Sequence, residues 1–502
     1  MRIPIEIPPG IVGDDTTFAA AGRWADGSNV RFWRGRPQAI GGWERLVETP
    51  LTGVCRSILA WSDKASQLNF AFGSHSSLQV WRGGGLYDIT PTGLAPGLVD
   101  GTGGQGYGTG AYSTGNYSEP SVGDYFPRTW ALAPWGENLI ACPRGGRVYA
   151  WTNNTAAAAA DLAGAPANVT HMVVAPTDQV FALGCNEEVS GTFNPLCIRH
   201  SSIRNNTEWT TGSATTAREY VLPGGGRIVA GRVVGPYLLV WTTHALFLGT
   251  YVGSLNQPWR FDRVGEKCGL IGPNAAVVVG QTAYWLGPDL QFYRYGVGGA
   301  PEPLVCTVRG GLADNITPSQ GDKVVASSIS VFGEVRFDYP DGRDGQENSR
   351  FLLYSILDGA WSLGRMARSA MIDAGPSQHP LGVDPSGGVF HHERGASADG
   401  GAFSWFIESA DQCLDENATA LSRGLWPDLA DQVGPVNLSI FSRFKPQGPQ
   451  VEYGPFPMAV GQDRLDFRAS GRLFRIRYSG SAAPTACRIG RPIFDVALGG
   501  GR

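Results

Sequence analysis

The sequence predicts an all-β fold: a β-propeller of roughly six to eight blades, with a second, β-sandwich-like platform formed by the two chain ends. Three observations carry this prediction. Charged residues make up 17% of the chain and aromatics 11%, with 70 glycines and 15 tryptophans, a composition of short strands and tight turns rather than helices. Pairs of apolar runs about a turn recur roughly every 40 to 50 residues along the middle of the chain, the period of propeller blades. Near both ends, apolar residues alternate with arginine, the pattern of a sheet with one buried and one solvated face.

Taken in order, "NVRFWRGRPQAIGGW" (29–43) reads as a hairpin about Arg34-Gly35. The blade series runs from "LNFAFG" (68–73) and "LQVWRGGGLYDIT" (78–90) through "NLIACPRGGRVYAW" (138–151), "HMVVAPTDQVFALG" (171–184) and "GPYLLVWTTHALFLGTYV" (235–252). It continues with "NAAVVVGQTAYWLGPDLQFYRYG" (274–296), "KVVASSISVFGEVRFDY" (323–339), "RFLLYSILDGAWSLG" (350–364) and "HPLGVDPSGGVFHHERG" (379–395). Several units end on a tryptophan, at 151, 209, 259 and 361. A large ring there is expected to pack between blades, because one blade cannot bury its own face.

In "DRLDFRASGRLFRIRYSG" (463–480), Leu465 and Phe467 face away from Arg464, Asp466 and Arg468, and Phe474, Ile476 and Tyr478 away from Arg475 and Arg477. Only "AAAAADLAG" (156–164) and "SADQCLDENATALSRGLWPDLA" (409–430) suggest helix. The expected division is residues 1–50 and 401–502 for the platform, and 51–400 for the propeller with a Gly/Tyr-rich insertion at 101–125.

That insertion contains "GYGTGAYSTGNYSEP" (106–120), with a tyrosine at every fifth position, Tyr107, Tyr112 and Tyr117. A spacing of five matches neither strand nor helix. With eight glycines and no Lys or Arg, the segment cannot build a core of its own. It is expected to order against neighbouring subunits, where tyrosine supplies contact area at low entropic cost.

Motifs that carry chemistry are sparse. The seven histidines include no H-E-x-x-H spacing, and His391 and His392 point to opposite faces of a strand, so shared metal binding is not expected. "SSIRNNTEW" (201–209) has the outline of a sialidase-type aspartate box but carries Arg204 and Asn206 where Asp and Gly belong. Such boxes are turns rather than catalytic groups. A glycosidase needs two carboxylates across a bond, and nothing pairs Asp358, Asp373, Glu393 or Asp411. "RFWRGR" (31–36) interleaves arginine with aromatics as a nucleic-acid stacking patch would, but without a concentrated basic run it reads better as a hairpin.

The eight cysteines lack any C-x-x-C pair and read as buried thiols, with the Cys185–Cys197 pairing open. No secretory signal or membrane span is expected. Charge is uneven: from Phe441 onward ten Lys and Arg face four acids, which leaves −10 for the rest of a chain of net charge −4. A basic segment on an acidic body suggests nucleic acid or a charged joint between subunits.

Taken together, "NVRFWRGRPQAIGGW", the Gly-Tyr repeat at 104–117, "WGENLIACPRGGRVYAW" (135–151), "CGLIGPNAAVVVGQTAYWLG" (268–287) and "SGRLFRIRYSG" (470–480) resemble the tail nozzle family. These are the tail hub, or packaged-DNA stabilisation, structural proteins of short-tailed bacteriophages, and the likeness runs over about residues 25–500. The resemblance implies a hexameric ring in the virion tail, assembled in the host cytoplasm below the portal and its adaptor. Such a ring extends and closes the DNA channel, with double-stranded DNA passing transiently, and supports fibres, a spike or a needle. It implies no catalytic residue, cofactor or metal. The residues expected to contact other subunits or partners are Tyr107, Tyr112, Tyr117, Arg31, Trp33, Arg34, Arg475 and Arg477. A slippery lumen should not grip phosphates, so the acidic body suits the channel and the basic tail segment a joint between rings. The alternatives are a carbohydrate-binding propeller or a propeller glycoside hydrolase.

Overall fold

The computed structural model describes residues 1–102, 126–414 and 419–499. Apolar runs broken by left-handed turn residues fold into successive four-stranded antiparallel sheets, seven of them arranged as blades among the described residues. Blade 1 is Cys55–Ser62, Leu68–Ser74, Leu78–Arg82 and Gly85–Asp88; blade 2 is Trp130–Trp135, Asn138–Pro143, Tyr149–Trp151 and Ala160–Asp161. Blade 3 is His171–Ala175, Gln179–Asn186, Phe193–His200 and Arg218–Val221; blade 4 is Ile228–Val234, Tyr237–Thr242, Ala245–Tyr251 and Trp259–Glu266. Blade 5 is Ala276–Val279, Thr282–Leu286, Phe292–Gly296 and Glu302–Leu304; blade 6 is Val325–Ile329, Glu334–Pro340, Asn348–Ser355 and Ala360–Arg365. Blade 7 takes three strands from Ala370–Ile372, Leu381–Val383 and Val389–His392, and its outermost strand, Trp43–Val47, from near the start of the chain. The first strands of successive blades lie side by side, and that of blade 7 returns to that of blade 1. The fold is therefore a closed β-propeller.

Blade faces are too small to bury themselves, and the tryptophans at blade ends close the gaps. Trp151 of blade 2 meets Trp61 of blade 1 edge-on at 6.4 Å. Trp259 of blade 4 meets Phe181 of blade 3 at 5.2 Å, and Trp361 of blade 6 meets Phe292 of blade 5 at 4.7 Å. Trp151, Trp209, Trp259 and Trp361 are all at least 98% buried, so the sequence expectation for these rings holds. No helix among the described residues is long and apolar enough to cross a membrane.

The platform draws three sheets from both chain ends. Arg2–Pro4 pairs with Ile493–Leu498, which continues to Ala420–Trp426 and Leu465–Gly471. Trp24–Ser28 pairs with Trp405–Ser409, followed by Leu473–Gly480, Val436–Arg443 and Val451–Met458. The hairpin Val30–Trp33/Arg36–Ala39 turns at Arg34 and Gly35, both left-handed (φ 53° and 75°). This is the primed turn whose twist matches a two-residue hairpin. Ala486–Ile489 and Leu429–Val433 extend it into the third sheet. Phe474 of the second sheet faces Phe494 of the first at 6.4 Å, and Phe456 stacks on Phe467 at 5.7 Å, giving a sandwich core.

Four expectations are corrected. Residues 156–164 are not helical: Ala160–Asp161 is the edge strand of blade 2, paired with Tyr149 and Ala150. Within 409–430, Ala420–Trp426 is a central strand between Leu465–Gly471 and Ile493–Leu498. In both places sheet pairing overrides a weak helix preference. The strands of 463–480 keep their alternation but do not pair with each other; they lie in facing sheets and turn a corner at Gly471, where a Cβ would sit 2.9 Å from Ser442 Cβ. Finally, the N-terminal platform portion stops short of residue 50, because Trp43–Val47 belongs to blade 7.

The two parts share one buried apolar cluster, running from Trp241 and Trp285 through Phe337 and Trp361 to Phe32, Trp405 and Tyr478. At the joint, Arg31 of the hairpin is 1% exposed. It forms a bidentate pair with Glu393, after blade 7, at 2.6 and 2.7 Å, and lies 3.3 Å from Glu334 of blade 6. Its guanidinium covers the Phe332 ring at 3.7 Å. Burial pushes the Glu334 carboxyl up to about 8, with Arg31 offsetting part of the effect and Glu393 adding to it. One guanidinium therefore faces one carboxylate and one carboxylic acid at neutral pH, a balanced set.

Two outcomes are expected. Val47 is buried among Leu51, Phe70, Leu381 and Val389, so Val47→Asp should destabilise the chain by roughly 3 kcal/mol and strip amide exchange protection first from Val389–His392. Retained protection there would refute closure by the N-terminal strand. Because folding raises the Glu334 pKa from 4.5 to about 8, the folded state holds an extra proton between those values. Its stabilising contribution is complete below 4.5 and falls as pH rises through 8. Chemical denaturation across this window should show that decline in the native chain and a flatter profile in Glu334→Gln.

Candidate functional site

The first strands of all seven blades enclose an axial channel of about 580 Å³. Its walls are mainly apolar, with Ile58, Leu132, Val173, Val233, Val277 and Met371. Arg56, Ser57, His171, Arg232 and Asn274 gather near the end where those strands begin, and Ser328 and Asp373 lie toward the other.

Arg232 ties three blades together. Its Nη1 donates to the Gly231 carbonyl at 2.9 Å and lies 3.2 Å from His171 Nε2, while Nη2 donates to the Pro273 carbonyl at 2.8 Å and Nε to that of Ala276 at 3.3 Å. Burial brings Arg232 down to about 10. Burial also holds His171 well below its ordinary value, and the Arg232 charge adds to this, so the imidazole is neutral and can accept from the guanidinium. At the far end Asp373 accepts from Ser328 Oγ at 2.8 Å and the amides of Ser330 and Ala374 at 3.0 and 2.7 Å.

The end where the first strands begin is built over by the chain itself. After blade 1 the chain runs to the turn ahead of blade 6, then returns through Phe126–Thr129 to blade 2, with Arg128 N donating to Leu98 O at 2.9 Å. A short 3₁₀ helix, Pro318–Lys323, receives it. Gln320 exchanges two hydrogen bonds with the Gly101 backbone, at 3.0 and 2.8 Å, and Gly101 is required because a Cβ would sit 2.0 Å from Ser319 O. Lys323, 1% exposed, donates to Asp100 at 2.5 Å, to the Gln346 carbonyl at 2.9 Å and to Glu347 at 2.9 Å. Glu347 also holds Arg56 in a fork at 2.7 and 3.0 Å, and Arg56 reaches the Val99 carbonyl at 2.7 Å. The Lys323–Asp100 and Arg56–Glu347 pairs join segments 223 and 291 residues apart, so no local spacing in the sequence announces them; sequence reading missed all of these residues.

Among the described residues that line the channel there is one carboxylate, Asp373, whereas glycoside hydrolysis uses two across the scissile bond. The aspartate-box outline is a structural turn in blade 3: Asn205 Oδ1 accepts from Thr207 at 2.9 Å, and Trp209 is buried with its indole N–H on the Asn206 carbonyl at 2.7 Å. His392 is buried against Arg368 Nε at 2.8 Å, and His391 points elsewhere to meet His379. Among the described residues no group of His, Cys, Asp and Glu could hold a metal ion. The cysteines are free, with the Cys185 and Cys197 sulfurs 3.9 Å apart on neighbouring strands.

The residues expected as partner contacts fare unevenly. Tyr107, Tyr112 and Tyr117 lie outside the described residues. Arg34 is exposed at the hairpin tip, its guanidinium 5.2 Å from the Trp33 ring, and Trp33 meets Phe332 edge-on at 5.3 Å. Arg31 is corrected from a surface contact to the buried pair at the joint. Arg475 and Arg477 both bind Glu408, at 2.7 Å each, and cover Phe441; the Arg475 side chain is largely buried, whereas that of Arg477 is 38% exposed. The same holds for much of the basic tail segment. Arg443 pairs with Asp411, Arg464 with Asp466 and Asp495, Arg488 with Asp431, and Arg491 with Glu6. The charge asymmetry along the sequence is thus largely cancelled in space.

Comparison with known proteins adds fold-level likeness alone. No family model matches the chain, and no curated protein matches it. Similar solved structures include the computationally designed Ika8 protein, at 13% identity and TM-score 0.39, covering 70% of this chain and 100% of that one. BBS1N, solved in complex with ARL6DN, has 9% identity and TM-score 0.41, covering 70% and 97%. PorZ, a surface component of the type-IX secretion system of Porphyromonas gingivalis, has 10% identity and TM-score 0.38, covering 76% and 45%.

Lys323→Met should lower stability by roughly 1–2 kcal/mol, because it removes the cation that ties the half-exposed Asp100 to the buried Glu347–Arg56 pair. Hydrogen exchange should speed up at Gly97–Gly101 while the second strands of the blades remain protected. Unchanged exchange at Gly97–Gly101 would mean that Lys323 does not hold the covering segment.

Proposed function

We propose that the chain is a structural subunit of a ring in the tail of a short-tailed bacteriophage, forming the nozzle or hub below the portal and adaptor. The observation that supports this best is the architecture of the channel mouth together with the platform. The mouth is covered by the chain's own residues, with Lys323 and Arg56 held by Asp100 and Glu347 within the subunit. The platform is joined to the propeller through buried Arg31 and a continuous apolar cluster. Such a block suits load-bearing and assembly rather than turnover of a substrate.

The dimensions refine the reading. A channel of about 580 Å³ falls in the range of small-molecule pockets, roughly 300–1,000 Å³, and duplex DNA cannot thread it. A DNA conduit must therefore run between subunits, along the axis of the ring, and the propeller axis of each subunit is not the passage. Docking by the basic tail segment as a free positive patch loses its support, since those arginines are ion-paired within the subunit. Attachment to the adaptor must rest on shape and exposed apolar groups instead.

Mixing the purified chain with a portal–adaptor complex should give co-sedimentation and, by negative-stain microscopy, a ring of copies around a central hole. A chain that remains monomeric and does not bind that complex would end this reading. Glycan-array binding by the monomer would favour the carbohydrate-binding alternative.

A further inference from the structure

We propose that Arg144 and Arg227, gathered over Phe126 at the covered mouth, form a binding site for a singly charged oxyanion of the phosphate class, carried by a phosphodiester backbone or by free phosphate. The inference does not depend on the ring assembly. Arg144 follows the second strand of blade 2, and Arg227 precedes the first strand of blade 4. Their guanidinium carbons lie 3.9 and 4.1 Å from the centre of the same Phe126 ring, so they are at most the sum of these distances apart. That places two planar donor forks around one ring, close enough for one anion beside the ring to reach both.

The cluster is short of one negative charge. Asp322 Oδ1 accepts from Arg144 Nη1 at 2.9 Å, and no carboxylate among the described residues is within ion-pair distance of Arg227. Arg144 is 7% exposed in its side chain, and its Nη2 is buried without a hydrogen-bond partner, as is Nε of Arg227. Burial lowers the Arg227 pKa, and the neighbouring Arg144 charge lowers it further. Buried donors left unpaired are costly, and charged ones more so. Two cations and one anion leave a net single positive charge, which one monoanionic oxyanion neutralises. Arginine forks suit such groups because parallel N–H donors meet paired oxygens. Pro223–Gly226, leading directly to Arg227, are exposed, so the site lies next to the surface and the oxyanion enters beside this turn.

The test uses the full chain with inorganic phosphate titrated against chloride at constant ionic strength, read by calorimetry and thermal unfolding. A saturable heat is expected, with a midpoint rise of about 1–2 °C at tenfold excess over Kd. Arg227→Gln should weaken binding at least tenfold, and Arg227→Lys, which keeps the charge but not the fork, should fall between. Should Arg227→Gln fail to fold, Asp322→Asn supplies the second arm: it removes the competing anion and should tighten phosphate several-fold. Binding of a short single-stranded oligonucleotide that phosphate displaces identifies a nucleic-acid backbone as the source, whereas phosphate binding without it identifies the free anion. The proposal is overturned if phosphate gives no saturable response, if Arg227→Gln binds as the native chain does, if Asp322→Asn does not tighten, or if an oligo-glutamate peptide binds where phosphate does not.

Discussion

The buried guanidinium of Arg31 fixes how the two halves of the molecule meet. A charge that is 1% exposed cannot be left unpaired, and its partners, Glu393 and Glu334, come from the ends of two different blades. The hairpin that carries Arg31 therefore has one place to sit. Immediately after it, Gly41 packs so closely on Glu393 that a Cβ would lie 2.5 Å from Oε2, and its amide donates to the same carboxylate at 3.0 Å. The chain then enters Trp43–Val47, the strand that completes blade 7. Docking of the platform and closure of the propeller ring are thus one structural event, governed by one ion pair and the glycine that lets the backbone approach it.

The same device recurs at the channel mouth. Lys323 is buried among Asp100, Glu347 and a carbonyl, and Arg56 shares Glu347. Arg31 with Glu334 and Glu393, Arg56 with Glu347, and Lys323 with Asp100 each join segments far apart in sequence, so that removing Glu393 or Glu347 leaves a buried cation short of its anion. Buried pairs of this type add little net stability over an apolar replacement but strongly disfavour alternative arrangements of the same segments. A propeller built of dissimilar blades gains from this, because apolar packing alone distinguishes poorly between neighbouring positions in the ring.

Internal pairing also bears on assembly. Arginines that look available in the sequence are committed within the subunit, including Arg475 and Arg477 on Glu408. What stays outward includes Arg34 at the hairpin tip and scattered apolar groups such as Val189, Leu255, Phe444 and Val460, each more than half exposed. Arg144 and Arg227 share one carboxylate, Asp322, which pairs with Arg144, and each keeps a buried guanidinium nitrogen without a partner.

The sequence by itself determined the all-β class, the repeated blade period, the buried tryptophans and the turn at Arg34-Gly35, because these depend on local properties: side-chain alternation, ring size and tolerance of positive φ. It also determined which residues of 463–480 face inward, since a strand's period is fixed at two. Tertiary structure decided the number of blades, the transfer of Trp43–Val47 into the last one, and the separation of Leu465–Gly471 from Leu473–Gly480 into facing sheets. It turned the alanine-rich run at 156–164 and the segment around 420–426 into strands, because an open sheet edge nearby offered more hydrogen bonds than a short isolated helix could. The candidate site belongs wholly to this second group. Arg56, Lys323, Glu347, Arg144 and Arg227 acquire their roles from partners up to 291 residues away, and a pairing across that distance is set by packing of the whole ring, which no local pattern of residue types encodes.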